Sequence, residues 1–195
     1  MKAKHSILVL FIAVHGLIFW SCNSTPVPKP RGYFRIEFPE KSYRLFDSIY
    51  PFTFRYPVYG KVNPEVDHGQ DGSWINVDFP KHNARIHLSY KNVTGNLSLM
   101  TEDARTLAYK HTVKADAIDE RVFSNSTKKV YGVLYDISGN SASSIQFFLT
   151  DSSKHYIRGA LYFRSQPNKD SLAPAVEFFE KDVVELIESF EWKEK

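Results

Sequence analysis

Cys22 is the only cysteine of the 195-residue chain, so it can form no internal disulfide. Its surroundings point to another chemistry of the thiol. Lys2, Lys4 and His5 form a basic opening, Ser6 to Trp20 is almost wholly apolar, and small Ser21 directly precedes the cysteine. That run suits the core of a signal peptide and falls short of the ~20 residues a spanning helix needs. The spacing predicts cleavage before Cys22, transfer of a diacylglycerol to its sulfur, and acylation of the freed amine, as with palmitate. Several acyl chains, at ~0.8 kcal/mol per buried CH₂, give stable anchoring where one chain is marginal. The stretch resembles a lipobox, with Phe19 in place of the usual Leu and Trp20 where a small or aliphatic residue is common. The competing readings are an ordinary cleaved signal beside an incidental cysteine, and an uncleaved anchor.

No other residue pattern gathers chemistry as clearly. His68, His82, His87, His111 and His155 follow Cys22, and no two sit at metal-ligand spacing on one helix. The sequence has no HExxH, CxxC or glycine-rich phosphate loop. His87 and Ser89 share one face of a strand pattern, as a base and a nucleophile could. Without a GxSxG elbow, a solvent-facing polar stripe is the simpler reading. The serine-rich stretch 138–144 reads as a turn rather than an oxyanion loop. No catalytic residue, cofactor or metal site is therefore expected.

These residues need elements to position them. Asn23 to Pro30 is a proline-stiffened tether. Period-two alternation predicts strands around Phe34, Ile36 and Phe38, around Phe52, Phe54 and Tyr56, around Ile75, Val77 and Phe79, and over Ala84, Ile86, Leu88 and Tyr90. Residues 58–73 read as a loop. A helix is expected over 98–112, capped by Ser98 or Thr101, with Met100, Ala104, Leu107, Ala108 and His111 on one face. Strands follow at about 128–137, 143–150 and 155–164, joined by hairpin turns. A last helix is expected after Ser171, with Pro174 in its first turn and Val176, Phe179, Val183, Ile187 and Phe190 as an apolar stripe. Trp192 should pack down at its end. Runs of strands with two separated helices predict one α+β domain, an antiparallel or mixed sheet packed by about two helices. Its order loosely resembles the PsbP/Mog1-like fold. The expected division is a signal peptide over 1–21, a lipidated tether over 22–30 and a single globular domain over 31–195.

The formal charge of +3 includes Lys2 and Lys4; after Cys22 the balance is 23 basic against 22 acidic residues. With no basic cluster or basic helical face, nucleic-acid binding finds no support. Arg31, Tyr33 and Arg35 should project from the sheet face away from Phe34 and Ile36. Arginine and tyrosine are enriched at interface hot spots, which makes the three a candidate interaction site. Packing on the closing helix is the alternative.

Longer stretches carry a family resemblance. PKPRGYFRI (28–36), PFTFRYPVY (51–59), WINVDFP (74–80) and ARIHLSYK (84–91) resemble the gliding-motility lipoprotein GldD family of the Bacteroidota. AYKHTVKADAI (108–118), VYGVLYDISGNSASSIQFFLTDS (130–152), RGALYF (158–163) and PNKDSLAPAVEFFEKDV (167–183) extend it over nearly the whole chain after Cys22. The resemblance implies a cell-envelope lipoprotein required for gliding and for type IX secretion, acting as a non-enzymatic assembly or stability factor. Implied partners are other gliding-motility envelope lipoproteins and secretion core components, with the membrane reached through the lipid on Cys22. The implied location is the periplasmic face of the outer membrane, since Asn23-Ser24-Thr25 lacks the acidic residues that often accompany surface export. In that phylum O-glycosylation resembles a D-[S/T]-small-or-apolar rule, which Asp47-Ser48-Ile49 and Asp170-Ser171-Leu172 fit. Ser48 and Ser171 are thus candidate sites. Two other readings stay open: a periplasmic small-ligand-binding lipoprotein with an aromatic-lined pocket between sheet and helix, and a hydrolase using His87 or His155.

Overall fold

Ten strands and two α-helices account for the regular structure in the computed structural model, which describes residues 36–65 and 73–193. In chain order these are β1 (Tyr43–Phe46), β2 (Phe52–Pro57), β3 (Lys61–Glu65), β4 (Ser73–Phe79) and β5 (Ala84–Asn92). Then come α1 (Leu97–Tyr109), β6 (Ala115–Asn125), β7 (Val130–Gly139), β8 (Ser143–Thr150), β9 (His155–Phe163), α2 (Lys169–Glu188) and β10 (Glu191–Trp192). The described residues belong to one unit, Arg35–Lys195.

Seven strands form an antiparallel sheet in the order β3-β4-β5-β9-β8-β7-β6, and β1-β2-β10 form a smaller antiparallel sheet. Because successive side chains on a strand point to opposite faces, the apolar residues of each strand collect on one side. Ile75, Val77 and Phe79, Ile86 and Leu88, Ile157 and Leu161, and Phe147 and Leu149 line that face. The Phe179, Val183, Leu186 and Ile187 stripe of α2 closes over it, together with Phe52 and Phe54 of β2. Full burial of each such side chain contributes about 1.5–3 kcal/mol, so this layer carries most of the fold's stability. Phe190 stacks 5.5 Å from Phe52, and Trp192 meets Phe190 edge-on at 4.7 Å. Gly159 lets the Phe147 ring lie across β9; a methyl group there would run into the ring. Most aromatics between sheet and helix fill the core, with Phe52, Phe54, Phe79, Phe147 and Phe179 buried, while Phe123 and Phe190 line a concavity of about 230 Å³ between β6–β7 and the end of α2.

The expected α+β class, the antiparallel sheet and the two packed helices are present. Several details differ. Ile36 to Phe38 is not a strand; Phe38 stacks on Phe178 with centroids 4.2 Å apart and on His82 at 5.6 Å. Part of the expected loop 58–73 is β3, an edge strand that tolerates Pro64 because its outer side has no ladder. Neither Ser98 nor Thr101 caps α1: the helix starts at Leu97, and Asn96, at its cap position, accepts from Thr94 N instead. The helix then tightens into a 3₁₀ turn over Lys110–Val113. Nor is Ser171 the cap of α2. Asn168 holds that place in extended backbone and its Oδ1 accepts from Ser171 N at 3.2 Å. Trp192 packs down as expected and adds a short strand, β10, against Phe52 of β2.

Candidate functional site

The second face of the large sheet divides in two. Over β7, β8 and β9 it is covered by α1, whose Ala104 and Ala108 pack on Tyr135, Ile137, Phe148 and Tyr156. Alanine at these positions lets the helix axis approach the sheet, and the Tyr156 hydroxyl donates to Met100 O at 3.1 Å. Over β4, β5 and the far half of β9, no described helix lies on the face. Here the polar partners of the core alternation emerge: Trp74, Asn76 and Asp78, then Arg85, His87 and Ser89, then Arg158 and Tyr162.

The ladder register brings these residues together. Trp74 stands opposite Ser89, Asn76 opposite His87, Asp78 opposite Arg85, and Ser89 opposite Arg158. Cross-strand neighbours on one face lie close enough to interact, and they do. Arg85 Nε bonds Asp78 Oδ1 at 2.6 Å while Asn63 donates to Asp78 Oδ2 at 2.7 Å. Burial pushes the Asp78 carboxyl up, but the bonds from Arg85 and Asn63 outweigh it and hold the group below the usual carboxylate range. His87 Nδ1 lies 2.7 Å from Asn76 Oδ1. An amide oxygen only accepts, so this contact assigns a proton to Nδ1. Trp74 meets the His87 ring edge-on with centroids 5.9 Å apart. Arg158 donates to Gln146 Oε1 at 2.5 Å. His111 sits nearby, and burial, then the Arg158 charge, lower its pKa. Trp74 and Tyr162 remain 41% and 37% exposed. The result is a hydrogen-bonded, polar face with two partly exposed aromatics beside arginines, residue types enriched at contact hot spots.

His87 and Ser89 do share a strand face, as the sequence implied. The histidine's Nδ1 is directed to an asparagine rather than to a carboxylate that would raise its basicity. His155, at the start of β9 on the opposite face of the sheet from His87, lies 2.8 Å from the Tyr90 hydroxyl and stacks on Trp192 at 5.1 Å. Among the described residues no three His, Cys, Asp or Glu side chains could hold a metal ion, and no helix is long and apolar enough to cross a membrane.

Cys22, Arg31, Tyr33 and Arg35 lie outside the described residues. Ser48 sits in the exposed loop between β1 and β2, next to Ile49, which is 95% exposed. Lys193 pins that loop by an ion pair to Asp47 at 2.5 Å and by donating to the Ser48 carbonyl. Ser171 is half-buried in the first turn of α2, where its hydroxyl donates to Asn168 O at 3.3 Å.

A cluster that sequence reasoning missed fixes the segment leading into β1. Asp182, on α2, is 0% exposed. It accepts from the Tyr59 hydroxyl at 2.6 Å and the Tyr43 hydroxyl at 3.0 Å, and pairs with Lys41 at 2.7 Å. Lys41 also donates to Phe178 O at 2.8 Å, with its ammonium 3.2 Å from the Phe178 ring centroid. Burial lowers the Lys41 pKa against the opposing pull of Asp182. Burial and then the Asp182 carboxylate push both tyrosine hydroxyls above their ordinary range, so they remain donors. The only sequence signal was an acidic residue at Asp182 amid the apolar stripe of a helix.

The family described as gliding motility lipoprotein GldD matches residues 23–192. No curated protein matches the chain. The chain is similar, at 10% identity, to the solution structure of cyanobacterial PsbP (CyanoP) from Synechocystis, over 88% of this chain and 97% of that one, with a TM-score of 0.49.

Proposed function

We propose, from the premise that the chain belongs to the gliding motility lipoprotein GldD family, that it is a non-enzymatic assembly factor working through protein contacts. In this reading residues 1–21 are removed and Cys22 carries the lipid. Residues 22–30 tether the domain 31–195 to the periplasmic face of the outer membrane. The domain then stabilises the gliding machinery and the associated type IX secretion apparatus by binding other envelope lipoproteins or secretion core components. The observation that carries the contact reading is the face over β4, β5 and the far half of β9, on which no described helix lies, with Trp74 and Tyr162 partly exposed beside Arg85 and Arg158. The match beginning at residue 23 supports the division at Cys22. Arg31, Tyr33 and Arg35, directly ahead of the domain, would extend the contact surface.

Crosslinking in living cells followed by pull-down of the lipidated protein tests this. Trp74→Ala with Tyr162→Ala should keep the domain folded and lower the Tm by no more than several degrees, since both side chains lie outside the core. Recovery of partner lipoproteins should fall at least about thirty-fold if the pair includes a hot spot of about 2 kcal/mol, and gliding should stop. Arg31→Ala with Tyr33→Ala should act in the same direction. Unchanged recovery and motility in both variants would discard the contact reading.

Ser48 is the better of the two modification candidates, because its loop is exposed while Ser171 is engaged in a helical turn. Intact mass of membrane-extracted protein should drop by a glycan in Ser48→Ala and stay unchanged in Ser171→Ala. Equal masses for native and Ser48→Ala chains, after allowing for the lost oxygen, would remove Ser48 from consideration.

A further inference from the structure

The composition after Cys22 is nearly neutral, so what matters is where a charge lacks a partner. At one end of the large sheet the acids are paired: Asp116 with Lys169, Asp136 and Glu180 with Arg121, and Glu177 with Lys181. At the other end lies a cleft of about 900 Å³ walled by the β6–β7 turn, the β8–β9 turn and the segment around β10. The antiparallel order makes this inevitable: both hairpin turns fall at the same end, and α2 runs back down the sheet to deliver β10 beside them. Lys128, Lys129, Lys154 and Lys193 converge there from three separate segments, around the Trp192–His155 stack.

Exposed lysines are usually only solvated, so their pairing decides the matter. Lys128 is neutralised by Glu191 at 2.9 Å and Lys193 by Asp47 at 2.5 Å. The remaining acid of the cleft, Asp151, keeps its charge but is turned to donors of its own turn, the Ser153 hydroxyl at 3.1 Å among them. Its Oδ1 accepts from the backbone N–H groups of Ser153, Lys154 and His155 at 2.8–2.9 Å, and these bonds hold its pKa down against the opposing effect of burial. Among the described residues no carboxylate pairs with Lys129 or Lys154. Both sit on turns with fixed backbones. Asn125 Oδ1 accepts from Lys128 N, Lys129 adopts a φ of 52°, and the Asp151 turn sets Lys154. Two ammoniums with no carboxylate partner among the described residues stand at the mouth of a concavity of ligand size, with the Thr127 hydroxyl beside them, and form a complement to a compact anion.

We infer that this cleft is a phosphate site, taking either a soluble phosphorylated compound or the phosphate of a lipid headgroup. It is independent of the β4–β5–β9 contact face and of the reading built on it. Lys129 and Lys154 supply the charge, and Trp192 reports occupancy.

The test uses the chain 22–195 with Cys22→Ser, so that no acyl group drives membrane binding, and Trp74→Phe, which leaves Trp192 as its only tryptophan. Emission from Trp192 is followed against inorganic pyrophosphate, against vesicles of phosphatidylcholine and phosphatidylglycerol in equal parts, and against phosphatidylcholine alone. A saturable change is expected with at least one phosphate probe and not with phosphatidylcholine. Pyrophosphate alone identifies a soluble ligand; the mixed vesicles alone identify a headgroup. Lys129→Gln with Lys154→Gln should weaken the response about thirty-fold, as expected for two lysines near an anionic surface. Lys61→Gln with Lys110→Gln removes the same charge elsewhere and should change little. No response to either phosphate probe, or equal weakening by both lysine pairs, overturns the assignment.

Discussion

Replacing Asp182 by asparagine is expected to destabilise the domain by about 3 kcal/mol, lowering the Tm by about 6–12 °C for a domain of this size. The carboxylate is fully buried and every group facing it is a donor: the hydroxyls of Tyr43 and Tyr59 and the ammonium of Lys41. An asparagine turns one acceptor into an NH₂ that points at donors and leaves the Lys41 charge without its counter-ion. Lys41→Met should cost less in isolation than Asp182→Asn. Its side chain is 25% exposed, so solvent already screens part of its attraction, whereas the buried carboxylate keeps its two tyrosine donors. Because the two residues touch, their effects should not add: the double variant should be more stable than the sum of the single losses implies. Thermal unfolding by circular dichroism measures all three. A Tm shift below about 2 °C for Asp182→Asn would show that the cluster does not clamp the segment ahead of β1 to α2.

Cys22→Ser is expected to give the largest change in behaviour with the least change in the fold. Oxygen does not take the thioether-linked diacylglycerol, so cleavage and amine acylation should both fail. One acyl chain provides a membrane association constant of only about 10⁴ M⁻¹, and stable anchoring takes two or more. The native protein should therefore resist salt and alkaline extraction, and the variant should not carry acyl mass. It should stay as an uncleaved precursor or leave the membrane, and gliding should be lost with it. Radiolabelled palmitate incorporation and fractionation decide the point. An acylated Cys22→Ser chain would place the lipid elsewhere and remove the reason for dividing the chain at residue 22.

The strands with clean alternation were legible because one side of each meets apolar residues and the other meets polar groups. Residues 52–56, 75–79 and 84–90 are of this kind, and their apolar members are core. The stripe of α2 was legible for the same reason at helical spacing. Edge strands were not. Residues 115–125 form β6, yet the strand is exposed on most of its length, and a register irregularity between Ala115 and Ala117 breaks its alternation. In β3 a proline masks the pattern. Conversely, Phe34, Ile36 and Phe38 alternate, but Phe38 finds a stacked partner in Phe178 instead of a ladder. Caps were misread because Asn168 and Ser171 are both competent, and only the course of the chain decides which oxygen faces the open N–H groups.

What the sequence determined by itself is whatever depends on neighbours along the chain. That includes the lone cysteine after an apolar run, the alternation that divides each central strand into a wet and a dry side, and the long motifs that carry the family. Tertiary structure alone decided which distant residues meet. Asp182 reaches Tyr43 across 139 positions and Lys193 reaches the Ser48 carbonyl across 145. The four lysines of the phosphate cleft come from two hairpin turns and the end of the chain. The cause is antiparallel pairing: it places alternate turns at one end of the sheet, so lysines from separate segments meet there.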